Sequence, residues 1–108
     1  MRILIIEDEF NLADAIKARL KKEKYLVDIK IDGSDGYFDA TTNVYDLIIL
    51  DVMLPNMDGF EILKKLRENN ITSKIIMLTV KSTIEDKLDG LEHGANDYIT
   101  SHFTWMSL

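Results

Sequence analysis

Three strongly apolar runs of the chain each end in a residue type that can take part in phosphate chemistry. They are Ile3–Ile6 before Glu7 and Asp8, Leu47–Leu50 before Asp51, and Ile75–Leu78 before Thr79. Carboxylates held close together repel one another and remain ionised only when a cation joins them. Mg²⁺ binds one or two carboxylates, keeps several waters and accepts phosphate oxygens. Beside Mg²⁺, a carboxylate can be a nucleophile that forms an aspartyl phosphate, and a nearby hydroxyl can donate to a phosphoryl oxygen.

The pattern around these residues predicts the elements that position them. Runs of four apolar residues are too short for helices and suit strands buried on both faces. The alternating pattern of Val27–Ile31 predicts a half-exposed strand, and Tyr98–Thr100 a short last one. Four helical segments lie between the strands. Their markers are Asn11 as N-cap of the first, the weakly periodic residues 35–43 of the second, Asp58 with Glu61 at the start of the third, and Ser82 with Glu85 at the start of the fourth.

Strands that alternate with helices predict a parallel α/β sheet with right-handed crossovers. The fully apolar strands require central places, so we expect a flavodoxin-like, doubly wound sheet of order 2-1-3-4-5. Ligands of such sheets bind outside the carboxyl ends of the strands, at the switch point between strands 1 and 3. Glu7, Asp8 and Asp51 would flank that crevice, with Thr79 next along. Turn acids without a function would be scattered, so the sequence favours a functional site over a turn at Asp51.

The composition narrows the class of protein. The 108 residues predict one domain, and the net charge of −6 argues against direct nucleic-acid binding by this chain. We expect no membrane segment and no signal peptide, because no apolar run has the required length. The absence of cysteine favours a cytoplasmic location. The chain has no Gly-rich phosphate loop of the Walker or dinucleotide type, so we expect no bound ATP or NAD.

Further residues carry a resemblance to a known family. The markers are Glu7-Asp8, Asp51 with Met53-Leu54-Pro55 and Met57-Asp58-Gly59, Thr79, and Gly94-Ala95-Asn96-Asp97-Tyr98. Together they make residues 1–100 resemble a bacterial response regulator receiver domain of the CheY-like type. The resemblance is strongest to the subfamily that pairs a receiver with a winged-helix DNA-binding domain.

This resemblance implies a phosphoacceptor module of two-component signal transduction, and not an enzyme in the ordinary sense. It implies that Asp51 accepts a phosphoryl group from the phosphohistidine of a sensor histidine kinase. It also implies that Mg²⁺ is held by Asp8, Asp51 and the backbone carbonyl of Met53, and by Glu7 through water.

Two further positions match the switch pair of the family. The resemblance implies that the Thr79 hydroxyl follows the phosphate and that the Tyr98 ring turns inward behind it. The alternative for Tyr98 is an ordinary aromatic residue on an edge strand.

Residues 101–108 depart from the family pattern. Where the family continues Lys-Pro-Phe and enters a final helix, the chain reads Ser101-His102-Phe103-Thr104-Trp105-Met106-Ser107-Leu108. A typical family continuation, Lys-Pro-Phe-His-Leu-Asp-Glu-Leu, is encoded for example by the codons AAG CCA TTT CAC TTG GAT GAG CTT. Read one base later, they encode Ser-His-Phe-Thr-Trp-Met-Ser. We interpret residues 101–108 as an aberrant tail produced by a frameshift, with a vector-derived tail or a natural divergent terminus as alternatives.

This departure has two predicted consequences. Ser101 supplies only a neutral donor on a short arm where the family has a lysine that pairs with the phosphoryl group, so we expect impaired phosphorylation. Without the last helix, a face of the sheet is uncovered, so we expect a homo-oligomer.

Two other functions remain open: an interaction module independent of phosphorylation, and an Asp-nucleophile phosphatase. For the phosphatase we would expect an acid where Met53 stands.

Overall fold

The computed structural model describes residues 1–79 and 94–100, which contain five strands and three helices. In chain order these are β1 (Arg2–Ile6), α1 (Phe10–Lys21), β2 (Leu26–Lys30), α2 (Gly33–Ala40), β3 (Leu47–Asp51), α3 (Gly59–Glu68), β4 (Lys74–Thr79) and β5 (Asp97–Thr100). None of the described helices is both long and apolar enough to cross a lipid bilayer.

The strands form one parallel sheet of order β2-β1-β3-β4-β5, so the predicted flavodoxin-like arrangement is confirmed. The apolar strands β1, β3 and β4 occupy the inner places, and β2 and β5 are the edges. Ile6 pairs with Leu50 and Asp51 pairs with Leu78. The carboxyl ends of the three inner strands therefore lie side by side at the same end of the sheet.

Each face of the sheet has its own hydrophobic core. On the face covered by α1, the buried residues are Ile3, Ile5, Ala13, Ile16, Val27, Ile49 and Leu78. On the face covered by α2 and α3, they include Leu4, Ile6, Ile48, Leu50, Ile62, Leu63, Leu66, Ile75 and Met77. Successive residues of a strand point to opposite faces, which explains why the inner strands are apolar at every position.

The helix starts only partly follow the prediction. Asp58 caps α3 as predicted, because its Oδ1 accepts a hydrogen bond from the Glu61 N–H at 2.9 Å. The prediction of Asn11 as the cap of α1 is wrong. That helix begins at Phe10, and the carbonyl of Glu9 accepts the first helical hydrogen bond, from Ala13.

Helix α2 also begins and ends earlier than the predicted residues 35–43. It runs from Gly33 to Ala40, because the Asp32 side chain caps it by accepting from the N–H groups of Ser34 and Asp35. The predicted fourth helix with Ser82 and Glu85 lies outside the described residues. The same is true of the tail at residues 101–108 and of the expected absence of a last helix.

Candidate functional site

The three acidic residues predicted from the sequence converge at the carboxyl ends of β1 and β3. One carboxylate oxygen from each of Glu7, Asp8 and Asp51 lies within 4.8 Å of the other two. Glu7 is buried, with 4% of its surface exposed, whereas Asp8 is exposed and Asp51 is half-buried. The cluster therefore has a closed inner end at Glu7 and an open outer end at Asp8.

Local structure explains how the strands deliver these side chains. Glu7 follows β1 directly, and its N–H donates to the carbonyl of Lys30 at 3.0 Å, which ties it to the end of β2. Asp51 is the last residue of β3, and the next N–H, of Val52, donates to the Leu78 carbonyl at 3.0 Å. Both acids are therefore held at hydrogen-bonded strand ends, and sites built on strands are positioned more precisely than sites on loops.

The electrostatics of the cluster favour a bound cation. Burial, followed by the hydrogen bond and the charge of Asp51, raises the pKa of Glu7 to about 9. Burial also raises the pKa of Asp51. The Glu7 Oε2 atom is buried without a hydrogen-bond partner, and no lysine or arginine of residues 1–79 pairs with any of the three acids. This all-oxygen donor set fits a hard divalent ion such as Mg²⁺.

The loop from β3 to α3 forms the rim of the site. The Met53 N–H donates to Asp51 Oδ1 at 3.4 Å, so the backbone predicted to bind the cation lies beside the central acid. An open cavity of about 600 Å³ adjoins the acids. It is lined by Asp8, Val52, Met53, Leu54, Asp58 and Phe60. The site is therefore open to solvent on the side of this loop.

The predicted switch pair lies on the neighbouring strands. Thr79 is the last residue of β4, one residue beyond the register partner of Asp51. Tyr98 lies in β5 and pairs with Met77. The side chains of Thr79 and Tyr98, like the whole of Ser101, are outside the described part of the chain. Their roles in switching therefore stay predictions.

Sequence reasoning missed two groups that support the rim. The first is the pair Asp32 and Asn56, whose side chains are hydrogen-bonded to one another although they lie 24 positions apart in the chain. Gly59 was read only as part of a family marker. Its N–H donates to the Val52 carbonyl at 2.8 Å, and a Cβ there would overlap the carbonyl oxygen of Asp51. Pro55 and Asn56 are typical turn residues, but a turn signal does not show that the Asn56 side chain is hydrogen-bonded to Asp32.

Comparison with known proteins agrees with this geometry. The profile of the response regulator receiver domain family matches residues 3–107. The chain is 48% identical over 103 residues to the transcriptional regulatory protein DltR of Streptococcus agalactiae, covering 95% of the chain and 46% of that protein. It is 51% identical over 102 residues to the response regulator ArlR of Staphylococcus saprophyticus, covering 94% of the chain and 46% of that protein. The chain thus spans about half the length of these relatives.

Solved structures show the same likeness. The receiver domain of the Francisella response regulator 1452 superposes with a TM-score of 0.92 at 33% identity, covering 98% of the chain and 88% of that structure. DrrB, a Thermotoga maritima OmpR/PhoB homolog, gives a TM-score of 0.85 at 30% identity, covering 98% of the chain and 48% of that structure. The family profile covers nearly the whole sequence and the acidic cluster lies at the sheet's switch point. The chain therefore belongs to the response regulator receiver domain family.

Proposed function

We propose that this chain is a phosphoacceptor module and that Asp51 takes a phosphoryl group from the phosphohistidine of a sensor histidine kinase. The observation that carries the proposal is the convergence of Glu7, Asp8 and Asp51 at the switch point, open to solvent on one side. Membership of the receiver family supports the same role.

The proposed reaction is a transfer between two nucleophiles. A carboxylate oxygen of Asp51 attacks phosphorus, and the bond between phosphorus and the imidazole nitrogen breaks. The electron pair stays on that nitrogen, and the product at Asp51 is an acyl phosphate. Asp8, Asp51 and the Met53 carbonyl would hold Mg²⁺ directly, and Glu7 through water. The bound ion would supply charge stabilisation for the phosphoryl oxygens.

Intact-protein mass spectrometry after incubation with acetyl phosphate and Mg²⁺ tests the proposal. We expect one added phosphoryl group, which Asp51→Asn abolishes. Asp46→Asn is the matched control, because Asp46 precedes β3 and lies at the end of the sheet opposite to the acids, so this variant should retain the adduct. The absence of any adduct on the native chain would favour an interaction module that works without phosphorylation. Steady turnover of a phosphate ester would instead favour a phosphatase.

Mg²⁺ binding provides a separate test. Titration of Mg²⁺ by calorimetry should show saturable binding that Asp8→Ala weakens by about tenfold or more, because a directly bound carboxylate is lost. An unchanged affinity in this variant would place the ion elsewhere.

We also infer that coupling of the phosphate to the switch is impaired. The proposed reason is that Ser101 lacks the ammonium with which a lysine would pair with the phosphoryl group. Ser101→Lys together with His102→Pro should accelerate phosphorylation by acetyl phosphate and enlarge the structural response. Equal rates and equal spectral changes in the native chain and the double variant would contradict this inference.

The proposal extends to a longer protein, because the chain spans about half the length of its relatives. The name of one relative, a transcriptional regulatory protein, supports a role in transcription regulation for a longer protein. We propose that a winged-helix domain of that protein binds DNA and that this chain binds the sensor kinase in the cytoplasm. Self-association of the chain, and a domain boundary at residue 100, stay predictions. Sedimentation over a dilution series would test the first: a monomer at every concentration would contradict it.

A further inference from the structure

The loop that follows Asp51 has no helix or strand of its own. It runs from Val52 to Asp58 and includes Met53, whose carbonyl belongs to the proposed cation site. The Met53 side chain is 61% exposed, so it contributes little packing that would fix this stretch. Apart from the long hydrogen bond of its N–H to Asp51 Oδ1 at 3.4 Å, the position of the Met53 backbone therefore depends on contacts made elsewhere in the loop.

One such contact joins the middle of the loop to the start of α2. Asn56 has a φ of 68°, a left-handed conformation that asparagine tolerates better than most residues. In this conformation its side-chain Nδ2 donates to Asp32 Oδ2. The other oxygen of Asp32 accepts from the Ser34 N–H at 2.7 Å and the Asp35 N–H at 3.1 Å. One carboxylate thus caps α2 and holds the loop, and we name this contact the loop clasp.

A second contact lies directly beside the loop clasp. The Gly33 N–H donates to the Pro55 carbonyl at 3.1 Å, and a Cβ on Gly33 would overlap the Met57 carbonyl oxygen. The first residue of α2 therefore lies against the loop backbone with no room for a side chain. This close contact makes the helix start a fixed support for the loop, since the helix itself packs on the sheet.

We propose that Asp32 and Asn56 are positioning residues that hold the Met53 backbone in the geometry required by the divalent cation. The inference rests on the proposed Mg²⁺ site. Mg²⁺ requires nearly ideal octahedral geometry, so a loop that moves freely must be ordered when the ion binds. The loop clasp orders the loop before the ion binds. Mutation of residues that hold metal ligands in position typically weakens metal binding by about 10–100-fold.

The ionisation of Asp32 is consistent with this role. Its hydrogen bonds, first that from Asn56 and then those from the two N–H groups of α2, lower the pKa of the Asp32 carboxyl. The acceptor is therefore a carboxylate at neutral pH, and a hydrogen bond to a charged acceptor is stronger than one to a neutral group.

Two variants remove the loop clasp while keeping the local backbone requirements. Asn56→Gly keeps a residue that adopts positive φ, and Asp32→Ser keeps a helix cap. The reciprocal exchange, Asp32→Asn with Asn56→Asp, reverses donor and acceptor at constant net charge and should restore the contact.

Asn43→Gly is the matched control for Asn56→Gly. Asn43 also has positive φ, at 56°, and its Oδ1 accepts from the Thr72 N–H at 3.1 Å. It precedes β3, so it lies at the opposite edge of the sheet from the site. The control tests whether an equivalent loss of loop order far from the acids changes the affinity for Mg²⁺.

The measurements are Mg²⁺ affinity by calorimetry and amide hydrogen exchange in EDTA. We expect Asn56→Gly and Asp32→Ser each to weaken Mg²⁺ binding about tenfold and to speed exchange at Met53. The two together should weaken it no further, and the reciprocal exchange should recover most of the loss. Asn43→Gly should leave the affinity unchanged.

Two results would overturn the inference while the proposed function stands. One is an Mg²⁺ affinity within twofold of the native chain in both single variants, with Asp8→Ala still weakening binding. The other is a double variant whose loss equals the product of the two single losses, because the residues would then act independently. A native chain that binds no Mg²⁺ would overturn both this inference and the proposed cation site.

Discussion

The Arg67 side chain joins the end of α3 to a segment four to six positions further along the chain and to a turn 27 to 29 positions away. Its Nε donates to the Gly94 carbonyl at 3.0 Å, and its Nη1 donates to the carbonyls of Ile71 and Ser73, both at 2.8 Å. Its Nη2 donates to Asn96 Oδ1 at 3.1 Å. The guanidinium therefore connects the end of α3 with the segment before β4 and the turn before β5. We predict that replacing it destabilises the domain.

The size of the effect follows from the four hydrogen bonds of Arg67. A hydrogen bond that involves a charged group contributes about 1.5–3 kcal/mol when buried, and the half-exposed position of Arg67 lowers this to about 0.5–1 kcal/mol each. Arg67→Met keeps the apolar stem and should lower the free energy of unfolding by about 2–4 kcal/mol. Arg67→Lys should cost about 1–2 kcal/mol, because one ammonium cannot reproduce the planar fork. Domains of this size have a total stability of about 5–15 kcal/mol.

Urea unfolding followed by circular dichroism in EDTA measures the effect. Lys65→Met is the matched control on the same helix, because the Lys65 Nζ makes only an exposed pair with Glu61 at 3.4 Å among the described salt bridges. Such a pair contributes about 0.5 kcal/mol or less. If the free energies of unfolding of Arg67→Met and Lys65→Met lie within about 0.5 kcal/mol of each other, the reasoning from the four hydrogen bonds is refuted.

Two further predictions concern steric fit and pH. Gly59→Ala should lower the free energy of unfolding by about 1–3 kcal/mol and slow phosphorylation, because its Cβ would overlap the Asp51 backbone. Gly36→Ala is the comparison in urea unfolding: its Cβ would meet the buried Ile6 side chain, so it should destabilise the domain without displacing the Asp51 backbone. The hydrogen bond from Tyr45 to Asp28 lowers the pKa of Asp28 from 3.8, and burial followed by that bond raises the pKa of Tyr45 from 10.0 to about 12. The free energy of unfolding should therefore fall as the pH drops below about 4 and as it rises from 10 to about 12. Both decreases should be smaller in Tyr45→Phe. Identical pH profiles of stability in the native chain and in this variant would contradict the prediction.

The sequence alone determined the sheet and the location of the acids. Four-residue apolar runs can be buried on both faces only as inner strands of a parallel sheet, and three such runs leave few possible strand orders. The carboxyl ends of parallel strands share one edge, so Asp8 and Asp51 had to meet there. These rules depend only on the local pattern and on chain connectivity, and both can be read from the residues.

Only the tertiary structure decided how those acids are supported and how they ionise. Glu7 and Asp8 are neighbours in the chain, yet one is buried and the other exposed, and that difference causes the high pKa of Glu7. The partners of Asn56 and Arg67 lie 24 and up to 29 positions away. No spacing rule predicts such pairs, because they form only after packing brings separate loops together. Long-range packing thus set the environment of a site whose position the local pattern had already determined.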